Sequence, residues 1–223
     1  MKRHRSIRPG LFFAAACLLM RAAAWAQSNP SSTTPARISS DLSVTYSLER
    51  AKVAPGGCGC FWLQGAGLDA AATFWNGLGV AASFTGEHAG NIAPGVDVNR
   101  IVFTAGPRYT YTAWKIGTAA NDKRQLQIFG QGLFGYVHGF GGVYPAPGGV
   151  TSSAGSLAID AGGGLNLFFT KRLGVRRLEA EYVRSALPNN ASNTQNDMRL
   201  SFGFVYHFGA SATKQVTHTP PVQ

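Results

Sequence analysis

Residues 198–208 read Met-Arg-Leu-Ser-Phe-Gly-Phe-Val-Tyr-His-Phe, and their order decides the fold. Met198, Leu200, Phe202, Phe204, Tyr206 and Phe208 alternate with Arg199, Ser201, Gly203, Val205 and His207. A period of two is the signature of a β-strand whose two faces meet different surroundings. One face here is continuously apolar and aromatic, and the other is small or charged. A tilted strand needs only about 9–11 residues to cross a lipid bilayer, and this segment has that length.

The same alternation recurs upstream. Leu42, Val44, Tyr46 and Leu48 oppose Ser43, Thr45, Ser47 and Glu49 in a first segment. A second, about 61–74, sets Ala66, Leu68, Ala70, Ala72 and Phe74 against Gly65, Gly67, Asp69 and Thr73. Asn76-Gly77 follows, a dipeptide suited to a two-residue hairpin because both positions accept positive φ. The third segment opposes Leu78, Val80, Ala82 and Phe84 to Ala81, Ser83, Thr85 and Glu87. The fourth opposes Ile101, Phe103, Ala105, Tyr109 and Tyr111 to Thr104, Arg108, Thr110 and Thr112. The fifth, about 125–140, carries Gln125, Gln127 and Gln131 on its polar side. The sixth sets Leu157, Ile159, Ala161, Leu165 and Leu167 against Asp160 and Asn166. The seventh sets Leu178, Ala180 and Tyr182 against Arg177, Glu179 and Glu181. With residues 198–208 this makes eight segments, an even number that suits an antiparallel up-and-down barrel. Pro107 has no N–H for a ladder, so it predicts a bulge or an interrupted pairing inside the fourth segment.

The placement of charge separates a membrane barrel from a soluble β-sandwich. Six of the ten acids (Glu49, Asp69, Glu87, Asp160, Glu179, Glu181) and three arginines (Arg108, Arg177, Arg199) fall at mid-segment on the polar side. Other basic residues, among them Arg50, Lys52, Arg100, Lys171, Arg172 and Arg176, fall near segment ends. A charge in mid-hydrocarbon costs about 2–4 kcal/mol, so a charge-free apolar face is what lipid demands. Closure removes the strand edges that lipid leaves unsatisfied. Aromatic residues such as Trp62, Trp75, Tyr111, Trp114 and Phe208 gather near segment ends, where interfacial girdles belong.

The N-terminus sets the compartment. Lys2, Arg3, Arg5 and Arg8 precede an apolar run from Leu11 to Met20 and an Ala24-Trp25-Ala26 cleavage site. That is a secretory signal peptide, expected over 1–26. Its run is too short for a membrane-spanning helix. It holds five of the 20 Lys and Arg and none of the ten acids, so cleavage lowers the formal net charge from +10 to +5 and weakens any nucleic-acid reading. Residues 27–40 are expected as a flexible periplasmic leader, 41–209 as the barrel and 210–223 as a short polar tail. Connections after the second and sixth segments are short, whereas those after the first, third, fifth and seventh are longer. The polar stretches 89–98, 141–154 and 187–196 are read as external loops, the asymmetry of an outer-membrane barrel.

The last segment, Arg199 to Phe208, resembles the aromatic-ended terminal strand by which the outer-membrane assembly machinery recognises its clients. Phe202, Phe204, Tyr206 and Phe208 would carry that signal. The region 41–209 resembles the small eight-stranded outer-membrane β-barrel family related in shape to OmpA and OmpX, with Gly106-Pro107-Arg108-Tyr109 a recurring piece. Acidobacterial members look closest, through Tyr46 to Val53. The resemblance implies residence in the outer membrane of a Gram-negative cell, with lipid and lipopolysaccharide as partners. The 14-residue stretch 210–223 is too short for the peptidoglycan-binding domain that OmpA carries.

An eight-stranded barrel has room only for its own side chains or one small ligand. Glu49, Asp69, Glu87, Arg108, Asp160, Arg177, Glu179, Glu181 and Arg199 are therefore expected to meet in a confined lumen. As an ion-pair plug they give a structural or interaction role. As a gate, six acids against three arginines give a narrow cation-preferring pore or small-solute transporter. A soluble periplasmic lipocalin-like barrel is a third reading. Cys58-Gly59-Cys60 permits a strained local disulfide, an intermolecular bond or an incidental pair, since export leads to an oxidising compartment. No metal set or cofactor motif is present. His88, His138 and His207 accompany no nucleophile motif, and Ser201 is about 20 Å from His207 at ~3.3 Å per residue. No enzyme is expected, nor a nucleic-acid partner. Arg50, Lys52 and Arg184 at the outer rim suit lipopolysaccharide phosphates. The expected state is a monomer.

Overall fold

The computed structural model describes residues 38–52, 59–116, 124–189 and 193–209. They form eight strands: β1 (Ser39–Lys52), β2 (Cys60–Trp75), β3 (Leu78–Ala93), β4 (Val96–Ile116), β5 (Arg124–Ala146), β6 (Gly149–Phe168), β7 (Leu173–Ser185) and β8 (Gln195–Gly209). Each pairs antiparallel with its neighbour in sequence, and β8 returns to β1, so the sheet closes into a barrel. Among the described residues no helix is long and apolar enough to cross a membrane.

Local chemistry explains the connections. Asn76 (φ 45°) and Gly77 (φ 90°) make the two-residue turn between β2 and β3. A Cβ on Gly77 would lie 2.3 Å from the Thr110 carbonyl oxygen, so glycine is required there. Pro107 keeps its register with Val80 of β3, while the β4–β5 ladder passes from Ala105↔Phe134 to Arg108↔Gln131 without a slip. The missing donor thus costs an interruption on one side rather than a bulge.

The strands are longer than the hydrophobic alternation alone indicates. β1 starts at Ser39, inside the stretch read as leader. The polar stretches read as loops at 89–98 and 141–154 are instead mostly strand. β3 and β4 continue to a Pro94-Gly95 turn, and β5 and β6 continue to a Pro147-Gly148 turn. These hairpin tips carry their own ladders, Tyr144↔Thr151 and Ala146↔Gly149 among them. Among the described residues, 186–189 and 193–194 form a non-strand connection of the expected kind. Both barrel termini and the Asn76-Gly77 turn lie at one end, called here the turn end. The long hairpins lie at the other, the hairpin end. The proposed signal peptide, leader residues 27–37, Cys58 and tail 210–223 lie outside the described residues.

Candidate functional site: the charged lumen

The barrel is inside out relative to a soluble protein. Arg108, Arg176 and Arg199 are its largest fully buried side chains, while Val44, Leu68, Phe84, Phe103 and Tyr136 are exposed. Those five are successive register partners across β1 to β5, so they form one apolar row on the outside. On the inside the registry strings Glu49, Arg199, Glu181, Gly162, Gln131 and Arg108 into one row across β1, β8, β7, β6, β5 and β4. Period two delivers each of these side chains to the lumen, and Gly162 leaves the gap that the long ones fill. A Cβ there would sit 2.9 Å from Glu181 Cγ and 2.2 Å from the Ala180 carbonyl oxygen.

Two layers of ion pairs result. In the layer nearer the hairpin end, Arg199 meets Glu49 and Glu87 at 3.1 Å, Asp160 at 3.1 Å and Glu181 at 3.4 Å. Arg100 pairs with Glu49, with Glu87 at 2.6 Å and with Asp197 at 3.0 Å. In the layer nearer the turn end, Asp69 Oδ1 accepts from both Arg108 and Arg176 at 2.8 Å, and Arg176 also reaches Glu179 at 2.8 Å. Both guanidinium groups sit over the Phe129 ring, at 3.7 and 4.7 Å, a cation–π arrangement that adds to their carboxylate pairs. Gln131 Nε2 joins the layers by donating to Glu179 and Glu181.

Of the nine residues the alternation assigns to the lumen, eight are brought into this network: Glu49, Asp69, Glu87, Arg108, Asp160, Glu179, Glu181 and Arg199. Arg177 is not. It is exposed, and Arg176 takes the inward place. The cause is a bulge. The β6–β7 register passes from Leu165↔Leu178 to Asn166↔Arg176, so Arg177 is the extra residue. Two further residues join the network from places read as segment ends or loop, Arg100 and Asp197. Both are in phase with their strands: Arg100 precedes Val102 and Thr104 on the inner face, and Asp197 precedes Arg199 and Ser201. Extending the period by one step finds them. The described ion-pair network thus holds seven carboxylates and four guanidinium groups, all buried, and an eighth buried carboxylate, Asp41, lies at the turn end.

The two ends of the lumen differ. At the hairpin end, Leu187 of the β7–β8 connection packs on Val102, Val137 and Ala158. Beside it lie Ala51, Leu63 and Ala89 with Phe61, Ile92 and Val98. Asn189 and Asn193 exchange backbone-to-side-chain hydrogen bonds of 3.3 and 2.9 Å and shape that connection. The turn end is polar. His207 Nδ1 lies 2.6 Å from Asp41 Oδ1, and Phe168 meets the imidazole edge-on.

The remaining singled-out residues are scattered. Phe202, Phe204 and Phe208 face outward and are exposed, and the Tyr206 ring lies 4.6 Å from that of Phe208. Cys60 opens β2 and is exposed. His88 bonds Asn99 at 2.9 Å on the outer surface, and the His138 ring stacks on Phe140. Among the described residues no group of three or more His, Cys, Asp or Glu is arranged to hold a metal. Arg50 and Arg184 are exposed toward the hairpin end of the outer face.

No protein-family model matches the chain, and no curated protein matches it. Solved structures do. The crystal structure of Neisserial surface protein A aligns with a TM-score of 0.51 at 15% identity, covering 76% of this chain and 97% of that one. At the level of fold, the chain is similar to that protein. Ail, the attachment invasion locus protein of Yersinia pestis, in complex with the heparin analogue sucrose octasulfate, gives a TM-score of 0.49 at 22% identity, over 77% of this chain and 99% of that one. The N-terminal β-barrel domain of Pseudomonas aeruginosa OprF gives 0.39 at 13%, over 75% and 97%.

Proposed function

We propose that the chain is an exported outer-membrane protein whose barrel crosses the membrane as a closed cylinder with an ion-paired, filled lumen. Its role is structural or one of surface contact. One observation carries this reading: buried arginines and carboxylates inside, and a continuous exposed apolar row outside. In water that arrangement would expose hydrocarbon and bury charge without return, whereas in lipid each face has its solvent. The turn end then faces the periplasm and the long hairpins face outward. Arg50 and Arg184 meet lipopolysaccharide phosphates, Phe202 to Phe208 serve the assembly machinery, and the barrel works as a monomer. Residues 1–26 are the cleaved signal, and the resemblance carried by the run Tyr46 to Val53 supports kinship with acidobacterial barrels.

A narrow cation-preferring pore is the second reading, favoured by eight buried acids against four buried arginines. Planar-bilayer recording of the refolded chain decides between them. A filled lumen capped by Leu187 gives no steady current, and neutralising Arg199 gives one. A steady, cation-selective current from the unaltered protein overturns the plug in favour of the pore.

A further inference from the structure

The outer surface of the turn end carries cations that no acid among the described residues answers. Lys171 and Arg172 lie in the turn between β6 and β7, and both are exposed. Arg177, which the bulge turns outward, stands farther up β7 and is also exposed. Every described carboxylate is engaged elsewhere. Seven belong to the lumen network, Asp41 faces His207, and Asp97 accepts from the Asn91 N–H on a hairpin tip. A lipid-facing cation with no acid beside it takes its counter-charge from the membrane, where phosphate is the anion at headgroup level.

Arg172 is held where a phosphate would meet it. Its carbonyl oxygen accepts from the His207 N–H at 2.7 Å, and its own N–H donates to Thr170 Oγ1 at 3.2 Å. Thr170 Oγ1 also accepts from the Leu173 N–H at 2.8 Å, so the turn is fixed from both sides. Beside it a cavity of about 410 Å³ lies at the β8–β1 seam, lined by Ile38, Arg172, Tyr206, Phe208 and Gly209. That volume falls within the range of small-ligand pockets, about 300–1,000 Å³. The lining holds one full positive charge, a phenol that can donate and no carboxylate, and the centroids of its two aromatic rings are 4.6 Å apart. The registry continues an apolar wall away from it. Leu42, Tyr206 and Leu173 are neighbours across β1, β8 and β7, and Val44, Phe204 and Val175 form the next outward row. Leu42, Leu173, Val44 and Phe204 are exposed. A cationic foot and an apolar track are the two halves of a phospholipid site.

We propose that the seam cavity binds an anionic phospholipid of the leaflet at the turn end, with Arg172 on the phosphate and an acyl chain along Leu173, Tyr206 and Leu42. Arg177 adds a second cation from the hydrocarbon side, its aliphatic stem along the apolar face and its head reaching toward the headgroups. The sign of the wall sets the selectivity. A zwitterionic headgroup carries an ammonium that would meet Lys171 and Arg172 with no carboxylate to receive it. A headgroup whose only charge is its phosphate meets cations alone, and a planar guanidinium suits two phosphate oxygens at once. The inference rests on the reading of the barrel as membrane-embedded and is independent of whether the lumen conducts.

The test places a bimane fluorophore on a single cysteine at position 42 or 173, in a chain whose native cysteines are replaced by Ser. The chain is refolded into phosphatidylcholine vesicles that contain a trace of nitroxide-labelled phosphatidylglycerol or, in a matched sample, of nitroxide-labelled phosphatidylcholine. Quenching by the phosphatidylglycerol is expected to exceed that by the phosphatidylcholine about twofold to fivefold, the range of one exposed ion pair. The excess is expected to vanish in Arg172→Gln. A label at position 80 on β3, at the same end beside the uncharged Asn76-Gly77 turn, is expected to show none. Each variant is first checked for heat-modifiable gel mobility, so that loss of the excess is not loss of fold. Equal quenching by the two lipids at both 42 and 173, an excess as large at 80, or an excess that Arg172→Gln leaves intact overturns the proposal. No quenching by either lipid at any of the three positions overturns the membrane reading itself, and the proposal with it.

Discussion

Arg199 is the residue on which the lumen turns. Its guanidinium faces Glu49, Glu87, Asp160 and Glu181, which come from four different strands. Removing one member of a buried ionic cluster leaves its partners uncompensated, at a cost of about 3–5 kcal/mol. Arg199→Met is therefore expected to lower the unfolding free energy by that amount, measured in urea by heat-modifiable gel mobility. Arg177→Met, one bulge away from the inner face, is expected to change it by no more than about 0.5 kcal/mol. Equal effects would contradict the placement of the bulge. At this scale the sequence was informative but incomplete. Eight lumen residues follow from alternation, because period two ties each to a neighbour whose apolar side is unmistakable. Arg176 and Arg177 do not, because two consecutive arginines offer no contrast of faces, and the bulge that chooses between them is set by pairing with β6 and β8.

At the scale of the strand, lipid is what makes the alternation readable. Where the outer face meets hydrocarbon, as at Val44, Leu68 and Phe84, only apolar residues serve and the period is clean. Beyond that belt both faces meet water, and the same strands carry Asn, Asp, Ser and Gly. That is why β3 through β6 run on into stretches such as 90–97 that read as loops, and why Arg100 and Asp197 fall outside the clean alternation. The hairpin tips are held by backbone pairing and by the turns at Gly95 (φ 72°) and Gly148 (φ 90°) rather than by a hydrophobic pattern. Val44→Arg places a charge in the outer apolar row and is expected to destabilise the membrane-embedded barrel by about 2–4 kcal/mol. Val150→Arg, on an exposed hairpin tip, is expected to be nearly neutral. Refolding into vesicles of fixed thickness, followed by denaturant titration, checks both.

At the scale of the whole molecule, closure, the apolar exterior and the charged interior form one device. A closed ladder leaves no strand edge for lipid to solvate. The register that brings β8 back to β1 also stacks Glu49 against Arg199 and Arg199 against Glu181. Closure and eight strands were legible from segment count and the two ends. The two-layered division of the lumen and its unlike mouths were not, since they depend on how far each strand is shifted against the next. The central claim is that the outer face of this barrel is solvated by hydrocarbon. Electron paramagnetic resonance of spin labels placed singly at positions 44, 68, 84 and 103, in a chain with Cys58 and Cys60 replaced by Ser and reconstituted in vesicles, tests it most directly. High collision rates with oxygen and low rates with a water-soluble nickel chelate are expected at all four positions. High nickel accessibility there would place the apolar row in water and contradict it.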